Sequence, residues 1–391
     1  MEGEIRNFVT IWAIVVASLC YCHTIGTYVF PKPNLARAFA ILPIVCLFFV
    51  LPLNLTSITL GAISSFFISW LASFKIILFT LGIGPLVTSP PLPLLTFIPL
   101  ACLPIKVRNR VRCGSKPKHV KRFGSKTFVP ESPEISVKPR TQSYEHLETS
   151  EDSSLKKAHK FSINHFAKLV LLTILFRVYK YQEFIHFYMR LFFYSLHIYF
   201  ILELSLVAVG SVVGTISGIE LDPPFDEPHL STSLQDFWGR RWNLMVTNIL
   251  RPTVYDPVKV VLSRLMSGRW AQFGAVVVTF FVSGIMHELV FFNIGRLEPS
   301  GEVLCFFLLH GVCLGLEIWI KKKLDGKFRL PGFVSGPLAM SFVMVTSFWL
   351  FFPPMLRSKV DYKSCNEYLA MIETIKHQKL VSPNSINCPF F

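Results

Sequence analysis

Eight stretches of about twenty predominantly apolar residues divide the sequence and leave few folds open to it. They lie near 8–30, 35–56, 58–82, 164–182, 184–216, 270–292, 302–320 and 333–355. An α-helix needs about 20 residues to cross the hydrocarbon core of a bilayer. The blocks are continuously apolar and do not alternate, which excludes membrane β-strands. A further apolar segment at 89–104 is broken by prolines and is too short to cross. The sequence therefore predicts an all-α polytopic membrane protein with about eight spans, in the range seven to nine. Composition agrees, with 52% hydrophobic and only 16% charged residues, where soluble domains carry about a quarter charged. The first block is too long for the apolar core of a cleaved signal peptide and reads as a retained helix.

The net charge of +15 is concentrated in two places. Lys106 to Lys160 holds 14 Lys/Arg against 6 Asp/Glu, and Lys321 to Arg329 holds five basic residues against Asp325. Basic loops of this kind mark the cytoplasmic side and attract anionic lipid headgroups. Nothing in the chain has the pattern of a nucleic-acid-binding module. If both basic runs are cytoplasmic, an even number of spans must separate them, and the four blocks between them satisfy that. Six cysteines (Cys20, Cys22, Cys46, Cys102, Cys305, Cys313) sit in apolar segments as small hydrophobes. The absence of a C-x-x-C pair argues against a zinc or redox site, so no metal is expected. Cys365 and Cys388 lie beyond the last span; they pair if the tail is luminal and stay reduced if it is cytosolic.

The chain thus divides into N-terminal spans (1–104), a basic polar loop (105–160), a helical body (161–355) and a polar tail (356–391). The loop is rich in Pro, Ser and charge and is expected to be disordered. No repeat of fixed period appears, nor the inverted pair of broken helices found in many transporters. Within the body, 218–262 is the least membrane-like part. Pro223 and Pro224 break any helix, and Ser231, Thr232 and Ser233 offer N-caps to "LQDFWGRRWNLMV". Phe237, Trp238, Trp242, Leu244 and Met245 against Arg240, Arg241 and Asn243 predict one amphipathic helix lying in the interface, its aromatics at headgroup depth.

Two pairs of ionisable residues lie inside apolar runs. In "FFVSGIMHELVFF" His287 falls about 26 Å along a helix starting near Trp270, deep in the bilayer. Ser283 and Gly284 precede it by one turn, leaving room for a partner helix or a ligand. Glu288 points about 100° away and needs a partner of its own. Intramembrane charge costs about 2.5–3.5 kcal/mol even on lenient scales, so function is the default reading; the plainer one is a hydrogen bond to a neighbouring helix. In "HGVCLGLE" His310 and Glu317 share a helix face with Gly311 and Gly315 beside it. Glu317 precedes Lys321 by four residues, which an interfacial ion pair would explain. "HELVF" has Phe291 where a zinc helix needs His. No G-x-S-x-G elbow or phosphate-cradling loop is present. A buried His behind a basic surface suits base-assisted transfer between a soluble donor and a lipid acceptor.

"LQDFWGRRWN" (Leu234 to Asn243) followed by "SGIMHELVF" (Ser283 to Phe291) resembles the membrane-bound O-acyltransferase superfamily, in particular its plant wax synthase branch. "HGVCLGLE", the helix "SWLASFKIILFTLGIGPL" and "CLPIK" fit the same branch, so the resemblance spans nearly the whole chain. It implies that fold, with interfacial amphipathic helices, in the endoplasmic reticulum membrane. It implies His287 as catalytic base and Asn243 as its partner, acting on a fatty acyl-CoA substrate and a lipid alcohol or sterol, with no cofactor. Trp238, Arg240, Arg241 and Trp242 become candidates for substrate binding, as do Ser283, Gly284, His310 and Glu317. The two arginines suit CoA phosphates, or equally a positive-inside anchor. The diacylglycerol acyltransferase version of the motif reads Asp-Trp-Trp-Asn; this chain has Gly239-Arg240-Arg241-Trp242-Asn243, so roles tied to that Asp do not carry over. Diacylglycerol remains an alternative acceptor. In another class, the alternative is a transporter with His287 and Glu288 as a proton relay.

Overall fold

The computed structural model of the chain describes residues 2–103, 163–217, 223–324 and 330–389. The loop at 105–160 and the end of the 321–329 run lie outside the described residues. Every regular element that is described is helical.

Seven helices are long and apolar enough to cross a membrane. They are α1 (Glu2–Val29), α2 (Leu35–Asn54), α3 (Ile58–Thr80), α6 (Phe187–Thr215), α10 (Gly268–Gly295), α11 (Glu302–Leu324) and α12 (Gly332–Arg357). They match seven of the eight expected blocks. The eighth is the shorter helix α5 at 163–179. The Pro-broken block is a short helix, α4 (Leu94–Cys102). Its C-terminal carbonyls are capped by buried Lys75 of α3, whose ammonium donates to Leu100 O at 2.7 Å and Leu103 O at 2.6 Å.

Contacts between helix ends sort them onto two faces. On one, the Glu4 carboxylate accepts the Thr56 N–H, and Glu367 accepts Ile58 and Thr59 N–H at 2.6 and 2.9 Å. Arg296, just past α10, donates to Leu53 O at 2.8 Å, and Arg357 of α12 pairs with Glu302 of α11. The same face carries the tail helix α13 (Val360–His377), bound to the last residues by a Cys365–Cys388 disulfide. On the opposite, basic face Lys322 meets Gln272, and Arg37 of α2 donates to the backbone of Phe30 and Phe79.

Contacts at its two ends carry α5 from one face to the other as well. At its start Asn164 and Lys168 bond Glu227 near the basic face, while at its end Tyr179 meets Tyr194 of α6, whose hydroxyl reaches Asp361 of the tail. Among the described residues the chain therefore passes from face to face eight times, seven of them in helices long and apolar enough to cross a membrane. Buried Lys168 also donates to Glu203 of α6 at 2.8 and 3.0 Å, a paired charge that ties α5 to α6.

α10 and α11 pack antiparallel along their length. The approach is close because Gly284 has no side chain: a Cβ there would lie 2.7 Å from Leu304 Cδ1 and 3.1 Å from its Cα. Disulfides persist in oxidising compartments and basic loops stay cytoplasmic. A glycosylation acceptor placed after Ser382 should accordingly be modified in microsomes, and one placed within 105–160 should not. The reverse pattern would invert the topology.

Candidate active site

His287 lies in α10, about 28 Å from the helix start and about 12 Å from its end at the disulfide face. Its Nδ1 sits 2.8 Å from the carbonyl oxygen of Ser283, one turn back. A carbonyl can only accept, so Nδ1 carries the proton, and in the neutral ring Nε2 keeps its lone pair. No described residue bonds Nε2. The ring is stacked on Phe307 of α11 at 4.1 Å and 24°, and Trp70 of α3 meets it edge-on at 4.8 Å and 85°. Phe351 of α12 closes a third side at 6.3 Å. Three other spans thus hold a neutral imidazole, its basic nitrogen unpaired, among aromatic rings. Trp70 belongs to a π-helical stretch, Ser65–Ala72, an irregularity frequent at functional sites.

The neighbouring glutamate has a different task. The Glu288 carboxylate accepts the Leu304 N–H at 3.1 Å, in the first turn of α11. It satisfies one of the donors that every helix N-terminus leaves open.

His310 contrasts with His287. It is fully buried, its Nδ1 accepts the indole N–H of Trp238 at 3.0 Å, and its Nε2 lies 2.8 Å from Thr346 Oγ1. An indole only donates, so the proton is on Nε2 and goes to Thr346, which in turn donates to the backbone of α12 at Phe342 O, 2.7 Å away. Both ring nitrogens are occupied, and His310 links α11, α12 and the motif loop. Glu317, its partner on the helix face, accepts Leu234 N–H at 2.9 Å, Gln235 N–H at 3.3 Å and Lys321 at 2.6 Å. The expected ion pair is present, and the same carboxylate caps the motif helix.

That motif is two helices where the sequence predicts one. Leu234–Asp236 continues as a π-turn over Phe237–Arg241, and a second helix α8 runs from Leu244 to Leu250. The break falls at Asn243, in the left-handed region at φ 38°, where its Oδ1 caps α8 through Val246 N–H at 3.5 Å. Asn tolerates this conformation better than most residues. The motif's aromatics pack against the body: Phe237 is buried and stacks on Trp242 at 5.3 Å, and Trp238 packs edge-on against Phe280 at 5.4 Å. An amphipathic helix with an exposed apolar face does exist further on, over Asp256–Leu265, with Val260, Val261 and Leu265 outward.

Arg241 is bound within the loop, by Asp236 Oδ2 at 2.8 Å and by the Asp226 and Glu227 carbonyls. Burial lifts the Asp236 carboxyl, but the Arg241 hydrogen bond, the Thr232 N–H and the charges of Arg241 and Arg240 outweigh it and hold the group below its ordinary range. Arg240 is exposed.

No described hydrogen bond or ring contact joins Asn243 to His287. Their neighbours Trp242 and Met286 share one apolar cluster with Trp70. Ser283 enters the site through its carbonyl, and the space beside Gly284 is filled by Leu304 and Phe307 of the partner helix. The aromatic walls, Trp70, Phe307 and Phe351, come from other spans, and no spacing in the sequence points to them. His197 on α6 also leaves Nδ1 unpaired, but it lies among Phe176, Tyr179 and Tyr368, opposite to the side on which Tyr199 meets Trp242.

The family model described as "Membrane bound O-acyl transferase family" matches residues 221–309, which span the motif loop and His287. Over nearly full length the chain is 40% identical to a long-chain-alcohol O-fatty-acyltransferase of Simmondsia chinensis, covering 95% of this chain and 96% of that protein. It is 39% identical to acyl-CoA–sterol O-acyltransferase 1 of Arabidopsis thaliana, covering 93% of this chain and 95% of that one. A probable long-chain-alcohol O-fatty-acyltransferase of the same plant is 39% identical over 96% of this chain and 98% of its own length.

The two histidines should separate in a thermal-unfolding assay. His310→Ala is expected to lower stability by about 3 kcal/mol or more, since it leaves a cavity and an unpaired indole N–H. His287→Ala should leave the melting temperature much nearer to wild type. Glu288→Ala should cost about 1 kcal/mol through the lost cap, and Glu288→Gln less.

Proposed function

The chain belongs to the membrane bound O-acyl transferase family and is a multi-pass membrane acyltransferase, and we propose that it moves a fatty acyl group from acyl-CoA to the hydroxyl of a long-chain alcohol or a sterol, with His287 as the base. The observation that carries this reading is the contact of His287 Nδ1 with Ser283 O. Its Nδ1–H is held by Ser283 O, which leaves Nε2 with a free lone pair inside an aromatic cage.

In the proposed step Nε2 takes the proton of the acceptor hydroxyl as its oxygen attacks the thioester carbonyl. The C–S bond breaks, the imidazolium returns the proton to the CoA sulfur, and the ester departs. Ser283 O remains hydrogen-bonded to Nδ1–H throughout and stabilises the transient cation. Trp70, Phe307 and Phe351 exclude water, the competing nucleophile. Asn243 uses its Oδ1 to cap α8, which leaves its amide N–H groups to orient the acyl carbonyl or meet the developing oxyanion. Arg241 is held by Asp236, so Arg240, exposed on the basic face, is the arginine that meets CoA phosphate. The tail disulfide and the cytoplasmic character of the basic runs fit the endoplasmic reticulum membrane. The two acceptors named for the relatives share one chemistry, a single hydroxyl on a large apolar body.

The test is ester formation in microsomes of a host without such enzymes, with labelled palmitoyl-CoA and hexadecanol, a sterol or diacylglycerol in parallel. Ester should form from the alcohol or the sterol and fall about 10²–10⁴-fold in His287→Ala at matched expression. Ester that persists in the variant would remove His287 from the mechanism, and no ester from any acceptor would overturn the substrate reading. Asn243→Asp separates cap from donor. It keeps an acceptor for Val246 and tolerates the left-handed backbone, so stability should hold while turnover drops about 10²–10³-fold.

A further inference from the structure

A cavity of about 530 Å³ opens near the disulfide face, between the start of α6 and the junction of α12 with α13. Phe187, Leu191 and Leu356 form its apolar wall; Arg190, Lys359 and Asp361 bring charge, and Tyr194 and Tyr362 complete the lining. Ligand sites commonly occupy about 300–1,000 Å³. It belongs to neither the His287 cage nor the motif loop.

Its most telling group is Arg190. The guanidinium is half-buried and lies over the Phe187 ring at 5.7 Å, yet it makes no hydrogen bond or ion pair among the described residues, and its Nε is buried without a partner. A guanidinium carries five N–H donors, and leaving them unmet away from water is costly. The one carboxylate in the lining, Asp361, turns elsewhere: it accepts the Tyr362 N–H at 2.9 Å and the Tyr194 hydroxyl at 3.4 Å. Burial pushes the Asp361 carboxyl above its ordinary range, against the pull of those bonds and of Arg190. Lys359, exposed and also without an ion pair among the described residues, adds a second cation, so two cations face one carboxylate.

We propose that this cavity seats an anionic phospholipid of the leaflet on the disulfide face, its phosphate against Arg190 and Lys359 and an acyl chain along Phe187, Leu191 and Leu356. The planar guanidinium matches phosphate oxygens in bidentate fashion. Lipid is favoured over a soluble anion because the cations stand at the ends of two membrane spans. The surface beside them is apolar too, with Phe187, Tyr188 and Met189 exposed at the start of α6.

The test uses the full chain in phosphatidylcholine nanodiscs containing a minority of phosphatidylinositol, with retained lipid identified by native mass spectrometry. Wild type should keep phosphatidylinositol well above its share of the disc. Arg190→Gln should reduce that enrichment about tenfold or more. Lys359→Gln alters only an exposed side chain, and should reduce it several-fold without disturbing the fold. Equal enrichment in wild type and Lys359→Gln, with Arg190→Gln folded and also unchanged, would overturn the site. Displacement of the retained lipid by millimolar inorganic phosphate, or by palmitate in preference to phosphatidylinositol, would overturn the phospholipid assignment.

Discussion

Inside hydrocarbon there is no water to complete a hydrogen bond, so each polar group in a span must be satisfied by the protein. Much of the architecture answers to that condition. Lys75 closes the carbonyl end of α4, Glu288 closes the amide end of α11, and Lys168 pairs with Glu203 across α5 and α6. His310 accepts from Trp238 and donates to Thr346, so one imidazole joins two spans to the motif loop. A few donors stay unpaired, among them the indole N–H groups of Trp12 and Trp70. Nε2 of His287 differs because it is a base, at a depth where function is the default explanation.

The two histidines illustrate how context assigns chemistry to one residue type. Each has a tautomer dictated by a partner that can act in only one sense: a carbonyl for His287 and an indole for His310. At His287 this frees a lone pair, whereas at His310 it uses both nitrogens. Glu288, adjacent to His287 in the chain, serves the next helix instead of the imidazole. That geometry gives no support to a His287–Glu288 proton relay, and it accounts for a carboxylate that the sequence left without a role.

The motif loop works as a rigid insert. Glu317 caps its first helix, Arg241 and Asp236 cross-link its turn, and the left-handed Asn243 starts its second helix. Trp238 and Trp242 then anchor it in the body through His310, Phe280 and Tyr199. Arg240 and Arg241, adjacent in sequence, are divided by this geometry into an exposed cation and a structural clamp. The loop lies at the basic face and His287 nearer the disulfide face.

Much of the fold was legible because the bilayer imposes a length and a composition on anything that crosses it. The eight apolar blocks could be read directly. α5 is the marginal case, and only end contacts such as Lys168 to Glu227 and Tyr179 to Tyr194 show that it runs from face to face. His287 stood out because ionisable residues in such a setting are rare, Asn243 through the resemblance of the motif it closes, and Cys365 with Cys388 because they alone lie beyond the last span. The break in the motif helix was not legible, since it depends on one backbone conformation at Asn243 that helical periodicity does not encode. Nor were Trp70, Phe307, Phe351 and Thr346, or the phosphate-sized charge imbalance at Arg190. Local sequence determines which residues a helix carries and how deep they lie; which helices become neighbours is a property of packing. The sequence by itself therefore decided that a histidine would be buried in the membrane, and only the tertiary structure decided which nitrogen of which histidine remains free to take a proton.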